Sequence, residues 1–84
     1  MGGMTHSLGL VARRAWCEAL EIPHCQPGDN FFELGGDSLR AVVVTQLIHD
    51  ETGIEIPLEA MFTSEDFAEY VAAIAPGTDG GRLS

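Results

Sequence analysis

Lysine is absent from this 84-residue chain, and only four arginines oppose thirteen acidic residues, so the formal net charge is −9. Nucleic acid and anionic membrane surfaces would repel such a chain. The asymmetry is also local, because no lysine or arginine lies between Ala41 and Gly81. We therefore expect no nucleic acid and no membrane as partners, and the charge favours proteins with basic surfaces.

Long apolar runs are also missing. None approaches the roughly 18 residues that a membrane-spanning helix needs. The segment from Met1 to Thr5 lacks the basic and apolar blocks of a secretory signal. These absences predict a cytoplasmic protein.

Cysteine is scarce. Cys17 and Cys25 are too few for a disulfide scaffold. Their spacing with His24 matches no common zinc motif, so no metal site is expected. Cys17 falls on the apolar face of a predicted helix, which indicates a small core residue.

The short length limits what the chain can build. Small domains bury a modest fraction of their surface, and a deep active site of several converging loops is hard to form. We predict one monomeric domain over residues 1–84, with flexible ends at about 1–4 and 77–84. This size favours a module on which other proteins act.

Apolar residues recur at steps of three and four, which predicts an all-α fold. The first helix should begin near Thr5 or Ser7 and end before Pro23. The second should open at Asp37 and Ser38 and run to about Thr52. Gly53 supplies a left-handed stop just past its end.

A short third helix is expected from Pro57 through Phe62, and a last helix capped by Thr63 or Ser64 and ended by Pro76. The buried stripe predicted for the last helix consists of Phe67, Ala68, Val71, Ala72, Ile74 and Ala75. The chain is therefore predicted to form a small four-helix bundle with a short third helix.

The loop between the first two helices, residues 22–36, is long for a helical domain. It contains Phe31, Phe32 and Leu34, which are too apolar to lie free in water. We expect some of these side chains to fold back against the helices and fix the loop.

The second helix carries more apolar surface than one packed stripe requires. One stripe contains Ala41, Val44 and Ile48, with Thr45 and Leu47 beside them. Leu39, Val42 and Val43 fall on a different face. An apolar surplus of this kind, starting one residue after Ser38, is typical of a docking surface.

Ser38 permits three interpretations. It can be a helix cap, because Asp and Ser satisfy free N–H groups at helix starts. It can be a hydrolase nucleophile, since Gly36-Asp37-Ser38-Leu39 matches the GDSL block, but no histidine follows His49 to act as its base. It can carry an anionic prosthetic arm, which a helix N-terminus stabilises.

The block Asp29-Asn30-Phe31-Phe32-Glu33-Leu34-Gly35-Gly36-Asp37-Ser38-Leu39 resembles the signature of the peptidyl carrier (thiolation) domains of nonribosomal peptide synthetases. The resemblance extends from Val11 to Val71. It implies an acyl-carrier-protein-like bundle in which Ser38 receives 4′-phosphopantetheine from a phosphopantetheinyl transferase, with Gly36, Asp37 and Leu39 around it. The arm's thiol would hold an aminoacyl or peptidyl group as a thioester.

The resemblance also implies partners and a place for them to bind. The partners are adenylation, condensation, thioesterase or tailoring enzymes, and the chain itself is their substrate and not an enzyme. The expected docking residues are Leu39, Arg40, Val42, Val43, Met61 and Phe62. Two alternatives remain: an acyl carrier of polyketide or fatty-acid synthesis, and an acidic helical adaptor in which Ser38 is only a cap.

Overall fold

A computed structural model describes residues 8–75, and helices account for most of them. They are α1 (Leu8–Leu20), α2 (Ser38–Thr52), α3 (Glu59–Thr63) and α4 (Phe67–Ile74). No strand occurs in this part of the chain, so the all-α prediction with a short third helix is confirmed. The predicted caps at Thr5 and Ser7, the stop at Pro76 and the two flexible ends lie outside the described residues.

Helix α1 packs mainly against α2 and ends before Pro23, as predicted. Its last turn closes with Glu21 in a left-handed conformation, φ 58°, and with Ile22 N–H donating to the Cys17 carbonyl at 3.0 Å. This pattern satisfies a carbonyl that has no partner inside the helix. The prediction that Cys17 is a core residue is wrong. Cys17 is half-buried and packs against the core from outside, because its position falls at the edge of the buried stripe.

Trp16 occupies the centre of the core and is 1% exposed. Its ring makes edge-to-face contacts with Phe31 and Phe67, at centroid distances of 5.1 and 4.9 Å. Tyr70 lies 5.6 Å away. The long loop and α4 therefore meet α1 on one aromatic residue, and such pairs add about 1 kcal/mol each beyond area burial.

Two buried polar atoms, Trp16 Nε1 and the Tyr70 hydroxyl, have no hydrogen-bond partner among residues 8–75. Thr45 approaches the Tyr70 hydroxyl without forming a geometrically acceptable hydrogen bond, and its own hydroxyl donates to the Ala41 carbonyl at 2.9 Å. Burial raises the pKa of Tyr70. The aromatic core therefore gains its stability from packing rather than from polar contacts.

The long loop is fixed to α4 by its backbone. Phe67 N–H donates to the Asp29 carbonyl at 2.9 Å, and Ala68 N–H donates to the Pro27 carbonyl at 3.0 Å. The side chain of Asn30 donates to the Glu65 carbonyl at 2.9 Å. The loop thus supplies acceptors for the first free N–H groups of α4.

The prediction of Thr63 or Ser64 as the cap of α4 is wrong. Asp66 is the cap, and its carboxylate accepts from Glu69 N–H at 2.9 Å. Thr63 and Ser64 instead donate their hydroxyls to carbonyls in the last turn of α3. The spacing of Asp66 and Glu69 is a local cap signal that the prediction did not use, and the loop carbonyls of Asp29 and Pro27 add acceptors for the N–H groups of Phe67 and Ala68.

The buried stripe of α4 also differs from the prediction. Phe67, Tyr70 and Ile74 are buried, whereas Ala68 and Ala72 are exposed. Val71 and Ala75 are half-buried. The large aromatic ring of Tyr70 fills the space beside Trp16, so the helix turns that side inward and its alanines outward.

Within residues 8–75, no helix combines the length and apolar character that crossing a bilayer requires.

Candidate functional site

The first turn of α2 begins at an N-cap formed by Asp37. This residue has extended backbone, φ −152°, and its Oδ1 accepts from Arg40 N–H at 2.9 Å. Its carbonyl accepts the first helical bond, from Ala41 N–H at 2.9 Å. The predicted start of α2 and its left-handed stop at Gly53, φ 75°, are both confirmed.

Two glycines turn the chain into this helix, and they do so for different reasons. Gly35 has φ +104°, a conformation that side chains disfavour, and open space surrounds it. Gly36 N–H donates to the Phe31 carbonyl at 3.0 Å, and a Cβ on Gly36 would collide with the Phe31 ring. Because Phe31 is 2% exposed, the buried ring and Gly36 together position the start of α2.

Ser38 is exposed at the first position of α2. No residue in the range 8–75 hydrogen-bonds its hydroxyl, and none accepts from the backbone N–H of Ser38 or Leu39. His49 lies eleven residues further along the same helix, about 17 Å away by helical rise, and faces the Ile54 carbonyl at 2.9 Å. This histidine therefore cannot serve Ser38 as a base.

The surplus apolar face of α2 is exposed in the structure. Leu39 is 73% exposed, and Val42 and Val43 are 47% and 41% exposed. The other stripe of the helix, with Val44 and Ile48, is fully buried against the core. The sequence-based division of α2 into a packed face and a free face is therefore confirmed, while its use for docking stays a prediction.

A second apolar feature joins the loop to α3. The rings of Phe32 and Phe62 stack at 5.6 Å with an interplanar angle of 23° and remain 38% and 48% exposed. Phe32 was not among the predicted docking residues. The adjacent pair Phe31 and Phe32 carried a signal, because they are consecutive residues of one hydrogen-bonded turn, so their side chains point in different directions and only one enters the core.

Two expected docking residues lie elsewhere. Met61 is 2% exposed and belongs to the core, so the expectation that it lines an outer surface is wrong. Met61 and Phe62 are consecutive residues of α3, so their side chains point to different sides of the helix. Met61 faces the core and Phe62 faces solvent. Arg40 is half-buried, and its Nη1 donates to the Ala19 carbonyl at 2.5 Å, so its guanidinium is held against α1.

Burial separates the two cysteines chemically. Cys25, in the long loop, is 4% exposed, and burial raises the pKa of its thiol to about 11, with Cys17 adding to the effect. A thiol with this pKa is a poor nucleophile and a poor metal ligand near neutral pH. Among the described residues, no group of three or more metal-ligating side chains occurs.

Comparisons with known proteins agree with this geometry. The model of the family described as "Phosphopantetheine attachment site" matches residues 11–74. The solution structure of PCP, a prototype for the peptidyl carrier domains of modular peptide synthetases, superimposes with a TM-score of 0.68 at 26% identity. That match covers 82% of this chain and 91% of the PCP chain.

Curated relatives are much longer proteins. Tyrocidine synthase 3 of Brevibacillus parabrevis is 41% identical over 63 residues, which is 75% of this chain and 1% of the synthase. Surfactin synthase subunit 1 of Bacillus subtilis is 49% identical over 47 residues, 56% of this chain and 1% of the subunit. The chain thus spans about one hundredth of these relatives. By the family match over residues 11–74, it belongs to the phosphopantetheine attachment site family, and its fold is that of a peptidyl carrier domain.

Proposed function

We propose that this chain carries 4′-phosphopantetheine on Ser38 and presents an aminoacyl or peptidyl group to partner enzymes of nonribosomal peptide biosynthesis. The observation that carries the proposal is an exposed serine at the start of a helix, within the residues that the family model matches. Its hydroxyl has no hydrogen-bond partner among residues 8–75, so a modifying enzyme can reach it.

The residues around Ser38 fit an attached phosphodiester. The N–H groups of Ser38 and Leu39 have no acceptor in the described chain, and the positive end of the α2 dipole favours an anion there. The carboxylate of Asp37 is adjacent and negative, but it is held in the cap by Arg40 N–H. Gly35 has no side chain, and open space surrounds the place where its Cβ would lie, so this residue does not obstruct the turn before Ser38.

The arm supplies a terminal thiol, which holds the acyl group as a thioester for transfer by other enzymes. The chain's own contribution is to offer the serine and to present a surface. No base reaches Ser38 within residues 8–75, which supports a substrate of other enzymes over a catalyst. The partners are then a phosphopantetheinyl transferase and adenylation, condensation, thioesterase or tailoring enzymes.

The exposed apolar face of α2, defined by Leu39, Val42 and Val43, lies directly beside Ser38. Apolar surface next to the attachment point lets a partner bind the carrier while it acts on the arm. The stacked pair of Phe32 and Phe62 offers further exposed apolar area on the loop and α3. We include Phe32 among the docking residues and exclude Met61.

The proposal is tested by incubating the protein with coenzyme A and a broad-specificity phosphopantetheinyl transferase. Intact-mass spectrometry should show the gain of one phosphopantetheinyl group, because Ser38 is the exposed serine at a helix start within residues 8–75. Ser38→Ala should abolish the gain.

Ser64→Ala is the matched control, since Ser64 is half-buried and donates its hydroxyl to the Ala60 carbonyl at 2.7 Å. This variant should be modified like the wild type. An unmodified wild type, under conditions that modify a known carrier, contradicts the proposal. Ser38→Ala that still gains the mass would move the attachment to another residue.

A further inference from the structure

Arg40 joins the first turn of α2 to the end of α1. Its backbone N–H donates to the Asp37 carboxylate at 2.9 Å, and its guanidinium donates to the Ala19 carbonyl at 2.5 Å. We propose that Arg40 is a positioning residue that holds Ser38 in the geometry required for loading. The inference rests on the proposed function of Ser38.

The hydrogen bond from Arg40 supplies a donor to a free carbonyl at the C-terminal end of α1. The last carbonyls of a helix have no partner inside it and carry the negative end of the helix dipole. Ile22 N–H donates to the Cys17 carbonyl, and the Arg40 guanidinium donates to the Ala19 carbonyl. A cation placed there gains from both the hydrogen bond and the dipole.

Beyond the Asp37 cap and the contact of Gly36 with Phe31, which lead into the helix, the first turn of α2 has few attachments to the rest of the fold. Ser38 is exposed, and Leu39 is 73% exposed, so neither packs on the core. The first buried residue of the helix is Ala41. Among Ser38, Leu39 and Arg40, Arg40 makes the one side-chain hydrogen bond to another element in the described part of the chain.

The consequence concerns the acceptor serine. Without the Arg40 contact, the exposed first turn can fray, and the transferase must order it before the hydroxyl is in place. A binding-competent state that is only partly populated weakens apparent affinity by the populated fraction. Loss of Arg40 should therefore raise KM for the carrier more than it lowers kcat.

Arg14 provides a matched comparison. Its guanidinium pairs with Glu51 at 2.5 Å on the surface, where the two side chains are 59% and 49% exposed. Exposed pairs of this kind contribute little to stability. Arg14→Met and Arg40→Met remove the same charge and the same donor groups, but only the latter removes a contact with the first turn of α2.

The experiment measures kinetics of phosphopantetheinyl transfer to the wild type, Arg40→Met, Arg40→Lys and Arg14→Met. Arg40→Met should raise KM about tenfold with little change in kcat, because the acceptor loses its orientation. Arg14→Met should stay within about twofold of the wild type. Arg40→Lys should recover most of the loss, since its ammonium can donate to the Ala19 carbonyl.

Hydrogen exchange at the Arg40 and Ala41 amides, which donate to Asp37, should accelerate in Arg40→Met and not in Arg14→Met. If Arg40→Met does not fold, Arg40→Lys tests the same contact, because its ammonium is only one bond shorter in reach than the guanidinium. A tenfold rise of KM in folded Arg40→Lys, in which the donor is kept, overturns the proposal.

Equal KM values for the wild type and Arg40→Met overturn the positioning role. An equal rise of KM in Arg40→Met and Arg14→Met also overturns it, because the effect would then come from the change in net charge. An unmodified wild type is a different result, because it refutes the function proposed for Ser38 itself.

Discussion

Val43 and Val44 are neighbours in α2 with opposite environments: Val43 is 41% exposed, whereas Val44 is fully buried. The same contrast recurs in the loop before the helix, where Phe31 is 2% exposed and Phe32 38%. In both pairs one residue builds the core and the other faces solvent. The inner set determines whether the chain folds, and the outer set leaves apolar area available beside Ser38.

The largest expected difference is between Val44→Asp and Val43→Asp. An aspartate at position 44 buries an unpaired carboxylate, which costs more than about 4 kcal/mol and exceeds what a small domain tolerates. At position 43 the carboxylate reaches water, so the loss of stability should stay below about 1 kcal/mol. Circular dichroism during urea unfolding measures both.

Val43→Asp should instead weaken loading by the adenylation enzyme about tenfold in kcat/KM, or about 1.4 kcal/mol. The measurement compares aminoacylation of the modified carrier with and without the substitution. Equal losses in folding and loading would place Val43 in the core and remove the distinction between the two faces.

A smaller difference should separate Phe31→Ala from Phe32→Ala. Phe31 packs against Trp16 and Gly36, so its truncation leaves a cavity and costs about 4 kcal/mol of unfolding free energy. Phe32→Ala removes only the stacking on Phe62 and a contact with Phe31, so it should cost about 1 kcal/mol of unfolding free energy. Urea midpoints rank the two variants, and comparable losses would contradict the assignment of Phe32 to the outer set.

The smallest effect is a pH dependence carried by Cys25. Burial raises its pKa from 9.0 to about 11, so between these values the unfolded chain loses the thiol proton while the folded chain keeps it. Folding stability should therefore fall as pH rises from 8 to 10.

Denaturant unfolding at the two pH values measures this loss. Cys25→Ala should remove most of it and leave the part that belongs to Tyr70, whose pKa burial also raises. Cys17→Ala should keep most of the loss, because desolvation of Cys25 outweighs the influence of Cys17. A slope unchanged in Cys25→Ala would assign the titration to another group.

Local hydrogen bonding and periodicity explain why much of α2 was predictable. Asp37 caps the helix with its own side chain, and Gly53 ends it in a left-handed conformation, so both signals lie within a few residues of the boundary. The division into a buried and an exposed stripe follows from the helical period alone. Residue types and spacing therefore sufficed for this element and for Ser38 at its start.

Helix α4 begins at a local cap, Asp66, but the acceptors for its first N–H groups and the choice of its buried face depend on a distant segment. Loop carbonyls of Pro27 and Asp29 accept from its first N–H groups, roughly forty residues away along the chain. Inward placement of Tyr70 depends likewise on the space beside Trp16. A pattern read along α4 contains neither partner.

The sequence by itself determined an all-α chain, the bounds of α2 with Ser38 at its first position, and the surplus apolar face that follows it. These features depend on residues near one another, whose effects are local. Tertiary structure decided which of Phe31 and Phe32 enters the core, that Met61 is buried, and that Arg40 reaches the Ala19 carbonyl. Each of these depends on how distant segments pack, because burial and long-range contacts are properties of the assembled bundle.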